Sequence, residues 1–171
     1  MSAKGEELTP VSAESVRQAA DDIKAGGYTS VAVCLLHAYD NPSHELMVEK
    51  YLEQYLPGIA VSLSHRVARE WREYERTSTT IINAYIAPIV TRYLNFLETR
   101  MREKHFAKTV HVMQSGGGII TAEIAKGIPI QTLMSGPVGG AAVSYTHLRL
   151  IAKFLPQHVS HFLCHTFKSA T

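Results

Sequence analysis

The eight residues Ser30 to His37 (Ser-Val-Ala-Val-Cys-Leu-Leu-His) form an apolar run without polar alternation. A strand wetted on one side alternates; a run that is apolar on both faces reads as a strand inside a covered parallel sheet. The flanking sequence supplies the cover. Residues Ser12 to Gly26 read as a helix, with Val16, Ala19, Ala20 and Ile23 at helical spacing, Ser12 as N-cap and Gly26-Gly27 as the stop. Asn41-Pro42 gives a turn, and Ser43 is placed to cap a second helix carrying Leu46, Met47, Tyr51, Leu52 and Tyr55 as far as Pro57-Gly58. Ile59 to Ser64 is a second strand candidate. The order helix, strand, helix, strand predicts α/β architecture with right-handed crossovers.

From Arg69 to Lys104 the sequence follows one helical pattern, with Ile81, Ile82, Tyr85, Ile89, Tyr93, Leu94 and Leu97 marking the side expected to be buried. Pro88 is expected to kink that helix or divide it in two. Thr109 to Met113 and Ile130 to Met134 are strand candidates, and Thr121 to Lys126 is a short helix closed by Gly127. A long helix before a new run of strands is a natural lobe boundary.

At 171 residues, 46% hydrophobic and 19% charged, the chain has the balance of one globular domain with a real core. No apolar run approaches the roughly 20 residues that span a bilayer, and the N-terminus lacks a signal-type apolar segment, so a cytoplasmic setting without a membrane is expected. The net charge of +2 hides a split: residues 1–142 carry 14 cations against all 15 acids, whereas Val143–Thr171 carries only Arg149, Lys153 and Lys168. That is no nucleic-acid-binding balance. Cys34 reads as a small buried hydrophobe, and no disulfide framework exists. His158, His161, Cys164 and His165 superficially invite zinc, but no matching ligand pair precedes them, and no metal site is assigned.

Two glycine-rich segments each follow an apolar run: Gln114, Ser115, Gly116, Gly117 and Gly118, then Ser135, Gly136, Pro137, Val138, Gly139 and Gly140. Bare backbone lets main-chain N–H groups approach an anion such as phosphate. Either segment alone reads more readily as an ordinary strand-to-helix turn; two in succession favour the anion reading. A third segment, Arg72 to Thr80, concentrates charge and hydroxyls at a helix entrance, either as a solvated cap or as a place where an Arg holds a carboxylate or phosphate. His37, His44 and His65 sit at strand ends, where open α/β sheets place ligands, though packing roles are the commoner use. No Ser-His-Asp set, nucleophile elbow or Gly-x-x-x-x-Gly-Lys-Ser/Thr loop nominates a catalytic residue.

Taken together, these stretches resemble the hydantoinase A and 5-oxoprolinase family, which includes related acetone carboxylase subunits. The strings that carry the resemblance are Val33 to Tyr39, Asn41 to Glu45, Val61 to His65, Glu73 to Thr80 with Asn83 to Tyr85, Val112 to Ser115 with Gly117-Gly118, and Ser135 to Ala141. The resemblance implies part of an actin-like, ribonuclease-H-like ATPase fold with a long helix between two lobes. Residues 1–104 would close the N-terminal lobe, 105–142 would begin the hydantoinase A lobe, and 143–171 would be an atypical tail foreign to the family. It implies an enzyme that uses ATP and Mg²⁺ to open a cyclic amide such as 5-oxoproline or a hydantoin, working with a partner subunit or as a homo-oligomer.

By the same resemblance Gln114 to Gly118 and Ser135 to Gly140 would lie at the nucleotide, with Glu75 and Arg76 nearer the substrate or the lobe interface. Position 116, often polar in the family, is Gly here, so any side-chain role at that point is lost or moved. The family's two Asp-x-Gly-Gly-Thr phosphate loops are missing, which predicts an internal part of the enzyme without catalytic activity of its own. Two other readings compete: a non-catalytic α/β module binding an anionic ligand or partner subunit, and part of an ATP-dependent ketone carboxylase.

Overall fold

A computed structural model describes residues 1–106 and 108–152, and for Thr146 and from Leu148 onward only the backbone. It is mixed α/β and divides into two units. The first comprises Met1–His111 and Thr121–Ile130, the second Val112–Ile120 and the chain from Gln131 onward.

The first unit opens with α1 (Ala13–Ala25), whose cap is the one the sequence predicts: Ser12 accepts a hydrogen bond from the Ser15 amide at 3.2 Å. Gly27, at φ +66°, turns the chain into β1 (Ser30–Val33). A crossover through α2 (Ser43–Tyr55) returns it to β2 (Ala60–Leu63), which pairs parallel to β1 with Ser30 opposite Ala60 and Val33 opposite Leu63. The apolar run therefore lies in a parallel pair as expected, but it leaves the strand after Val33, and His37 already sits in left-handed backbone at φ +59°. The second helix is also capped differently: Ser43 begins α2 rather than capping it, and its amide is held by the Asn41 side chain at 3.0 Å.

Strand alternation sorts the two sheet faces. Val33 and Leu63, with Val31 and Val61 partly buried beside them, pack on Val16 and Ala20 of α1 and Leu52 of α2, forming the apolar core. The intervening Ala32 and Ser62 point to the opposite face, where α4 (Glu73–Glu103) lies. The four-residue α3 (Ser64–Val67) leads into it.

Helix α4 departs from expectation in two ways. Pro88 does not divide it, and the 31 residues form one helix about 46 Å long. Most of the apolar stripe is also not its buried side, although Leu94 is buried and Leu97 partly so, as expected. Ile81, Ile82, Tyr85, Ile89 and Tyr93 are exposed, whereas Arg76, Thr80, Asn83, Ala84, Ala87 and Leu94 face inward. The reason lies in the sheet. Its α4 side offers the small Ala32 and the hydroxyl of Ser62, a surface that suits close approach by alanines and hydrogen bonding by Asn83, not bulky side chains.

In the second unit β3 (His111–Met113) pairs with β4 (Ile119–Thr121). Five residues join them, too few for a parallel crossover, so the pair is an antiparallel hairpin. Back in the first unit, Thr121 caps α5 (Ala122–Gly127), accepting from the Ile124 amide at 3.4 Å, which places this short helix where the sequence predicts it. The predicted strand at 130–134 does not form. Pro129, which cannot donate to a ladder, starts a 3-10 turn (Pro129–Thr132), and the chain passes directly into α6 (Ser135–Ala152). Helix α6 runs without a break through the change in composition at Ala142/Val143. The histidine and cysteine cluster from His158 lies outside the described residues.

Candidate functional site

The two glycine-rich segments differ in local form but meet in the second unit. Gln114 to Gly118 is the hairpin turn between β3 and β4, closed by the Gln114 amide donating to the Gly118 carbonyl at 2.7 Å, with Gly117 at φ +87°. Ser135 to Gly140 is not a turn but the opening of α6. Pro137 is tolerated there because an amide in a helix's first turn has no intrahelical partner to lose.

Ser115 ties the two together. Its amide and hydroxyl both donate to the Gln131 carbonyl, at 2.6 and 2.9 Å, and the hydroxyl oxygen accepts from the Met134 amide at 3.1 Å. The Gln114 side-chain amide donates to the Gln131 side-chain oxygen at 2.6 Å. At Gly139 a Cβ would stand 3.3 Å from Met113 Sδ, so glycine there permits close packing of α6 against the hairpin strand. Gly116, Gly136 and Gly140 are different: nothing lies within 4 Å of where their Cβ atoms would be. Their bareness is not demanded by packing of the chain on itself.

The electrostatics favour an anion. The first-turn amides of α6 carry the positive end of the helix dipole. The described residues of this unit include no Asp or Glu to repel a phosphate. The same lack of carboxylates means that Mg²⁺, an oxygen-seeking cation, does not fit here. Among the described residues no group of three or more His, Cys, Asp or Glu side chains could hold a metal.

A second concentration of polar groups lies in the first unit, at the end of the parallel strands. Glu45, in the first turn of α2, is 0% exposed. Its carboxylate accepts from the Leu35 amide (3.0 Å), Ser64 Oγ (2.6 Å), the His65 amide (3.1 Å) and His65 Nδ1 (2.7 Å). Arg76, 1% exposed, donates to the Glu70 carbonyl at 2.8 Å and the Leu35 carbonyl at 3.0 Å, and its guanidinium lies over the Tyr39 ring at 5.6 Å. Asn83 donates to Ser62 Oγ at 3.0 Å and accepts from the Ile130 amide at 3.1 Å. Two buried nitrogens in this region, His37 Nδ1 and Arg76 Nε, have no partner.

These contacts place the remaining candidates. Arg76 is committed to carbonyls of its own unit, while Glu75 is exposed and pairs with Arg72 at 3.4 Å. His65 is held by Glu45, and His44 pairs with Glu7 at 2.9 Å. Partial burial pushes the Cys34 thiol up, with hydrogen bonding to Thr80 and Thr77 opposing it, so it stays protonated; it is half-buried rather than the fully buried small residue expected. The sequence reading had no role for Glu45 or Asn83 as individual residues. A first-turn Glu reads as complementing the helix dipole; for Asn83, the signal was a poor helix former inside a long helix.

Comparison with known proteins follows the same segments. A family model for the hydantoinase/oxoprolinase N-terminal region matches residues 1–56, and the Hydantoinase/oxoprolinase model matches 76–153. An uncharacterized protein of Methanocaldococcus jannaschii is 39% identical over 145 residues, covering 84% of this chain and 21% of that protein. Caprolactamase subunit alpha of Pseudomonas jessenii is 29% identical over 133 residues, covering 78% of this chain and 19% of the relative. Among solved structures, nucleotide-free acetone carboxylase, titled for the mechanism of ATP-dependent acetone carboxylation, superposes with a TM-score of 0.74 at 28% identity, over 88% of this chain and 21% of that one. The chain thus spans about a fifth of the length of these relatives.

Proposed function

The chain belongs to the hydantoinase/oxoprolinase family, and on that premise we propose that its hairpin turn and the start of α6 hold the phosphates of ATP in an enzyme that opens a cyclic amide. The lobes would be those of an actin-like ATPase, with 1–104 and 105–142 contributing to different lobes. The observation that carries the reading is the Ser115 bridge. One side chain joins the two glycine segments, and beside it Gly116, Gly136 and Gly140 leave backbone uncovered.

When bound, ATP would transfer its γ-phosphoryl group to the amide oxygen and leave as ADP, and water attacking the activated carbon would open the ring with loss of phosphate. The chain's own residues do the holding. The Ser135 and Gly136 amides at the α6 start and the Gly116 amide in the hairpin would face the phosphate oxygens, the Gln114, Ser115, Gly117 and Val138 amides being held within the chain; Ser115 fixes the distance between the two segments, and Gln114 is oriented by Gln131. Arg76 acts through the segment after β1 that it holds, and Glu75 is the member of that pair with an exposed carboxylate, which would face substrate.

A second reading, ATP-dependent ketone carboxylation, draws on the superposition with acetone carboxylase. Both reactions need the nucleotide held, so the same hairpin serves either. Titration of the chain with ATP tests the shared step. Gly136→Val with Gly140→Val, which fill open space, is expected to weaken binding at least tenfold, about 1.4 kcal/mol, with the circular dichroism spectrum unchanged. Unaltered affinity sinks the nucleotide assignment. In a full-length family enzyme carrying these segments, phosphate release stimulated by 5-oxoproline or N-methylhydantoin supports ring opening, and stimulation by a ketone with bicarbonate supports carboxylation.

A further inference from the structure

Asn83 is fully buried in the middle of α4, and no role above accounts for it. It is 0% exposed, its side-chain nitrogen donates to Ser62 Oγ at 3.0 Å, and its side-chain oxygen accepts from the Ile130 amide at 3.1 Å. Asn is a poor helix former, and the inward residues that follow it, Ala84 and Ala87, bring no polar group that needs a partner. For packing α4 alone, one more alanine would serve.

The link to Ile130 is the informative one. Ile130 belongs to the 3-10 turn Pro129–Thr132. The opening N–H groups of such a turn have no partner inside it, Pro129 has no N–H, and Ile128 before it carries no side-chain acceptor. The Asn83 oxygen therefore caps the turn from another helix. The next residue of the turn is Gln131, whose carbonyl accepts from the Ser115 amide at 2.6 Å and the Ser115 hydroxyl at 2.9 Å, and whose side chain accepts from Gln114 at 2.6 Å. A four-residue 3-10 turn has poor hydrogen-bond geometry of its own, so its direction depends on what holds it. The two anchorages fall on adjacent residues. We propose that Asn83 is a positioning residue for the nucleotide: by capping the turn at Ile130 it fixes where Gln131 presents its carbonyl to Ser115, and with it the spacing of the two glycine segments. This role rests on the phosphate-holding function proposed above. Asn83 itself touches no phosphate; it acts because groups that hold a ligand are effective only when kept within about 0.5 Å of the productive geometry.

ATP titrations of the 171-residue chain and its variants test it. The wild-type chain should bind ATP. Asn83→Ala should raise the dissociation constant about tenfold. Ser62→Ala, which breaks only the other link of Asn83, should lower the urea midpoint yet leave ATP affinity unchanged, a separation that a purely architectural Asn83 would not produce. Asn83→Ala combined with Ser115→Ala should bind no more weakly than the weaker single variant, because both act through Gln131. Circular dichroism checks that each variant is folded; should Asn83→Ala not fold, Asn83→Ser, whose shorter side chain leaves its oxygen short of the Ile130 amide, replaces it with the same expectation. If the wild-type chain binds no ATP, the phosphate-holding function falls and the role of Asn83 with it. If the wild type binds and Asn83→Ala binds as tightly, the phosphate-holding function stands and the positioning role alone is overturned. It is equally overturned if Ser62→Ala loses as much affinity as Asn83→Ala, or if the Asn83 and Ser115 losses add in full.

Discussion

Around Glu45 four donors close on one carboxylate at 2.6 to 3.1 Å, whereas around Gly136 nothing beyond its neighbours and the helix's own backbone lies within 4 Å of the place where a side chain would begin. The first region turns polar groups inward and, His37 Nδ1 and Arg76 Nε excepted, satisfies them from its own elements: α2, α3 and the segment that follows β1 are fastened at one carboxylate. The second leaves polar backbone uncovered and fastens only the frame around it, through Ser115 and Gln131. Function classes are easily confused here, because a charged, fully buried residue attracts attention and a glycine does not. Burial with every oxygen occupied is a mark of architecture; bare backbone that packing does not require is a mark of something still to arrive.

The largest effect that would break this contrast is at Glu45. Glu45→Leu leaves the Leu35 and His65 amides and the Ser64 hydroxyl without their acceptor, and urea denaturation is expected to show a loss of about 3 to 5 kcal/mol, or no cooperative transition at all. A loss below about 1 kcal/mol would mean that the carboxylate is not architectural, and the comparison would fail. An intermediate effect is expected at Ser115. Ser115→Ala removes the hydroxyl that joins Gln131 to Met134, should cost about 1 kcal/mol, and should also weaken ATP binding, whereas Glu45 variants that stay folded should leave ATP affinity unchanged.

The smallest effect is at the surface of the first unit. The Lys126 ammonium donates to Glu98 at 2.8 Å and to Glu123 at 3.2 Å, and the Glu98 hydrogen bond, foremost, raises its pKa. A raised pKa contributes stability that is fully present below the ordinary lysine value and fades as pH rises through the raised one. Glu98→Gln should therefore reduce, with Glu123 still in place, a shallow stability loss confined to strongly alkaline solution and leave neutral pH nearly unchanged, as thermal melts across that range would show.

How far the sequence disclosed these regions depends on whether the signal was local. The Ser12 cap, the Gly27 stop and the parallel pairing of Ser30–Val33 followed from neighbouring residues, and the structure has them. Helix α4 was recognisable as a helix, but its inward face was not, because periodicity shows that an apolar stripe exists without showing which surface it meets. Ala32 and Ser62 decide that, and their influence is felt only after the sheet forms. The strand expected at Ile130–Met134 failed for a similar reason. Five apolar-leaning residues fit a strand until Pro129 and Ser115 engage the neighbouring backbone. Glycine marked the candidate site at once, but its geometry as a hairpin against a helix start depended on the Ser115 bridge, which is 16 residues from Gln131 in sequence.

Because the inward residues of α4 and its outward stripe sit half a turn apart, drift in one need not disturb the other. Replacements at Tyr85 or Ile89 are expected to leave the fold beneath as firm as before, whereas changes at Thr80 or Asn83 erode it. A single helix thus divides into a side that tolerates substitution and a side that does not.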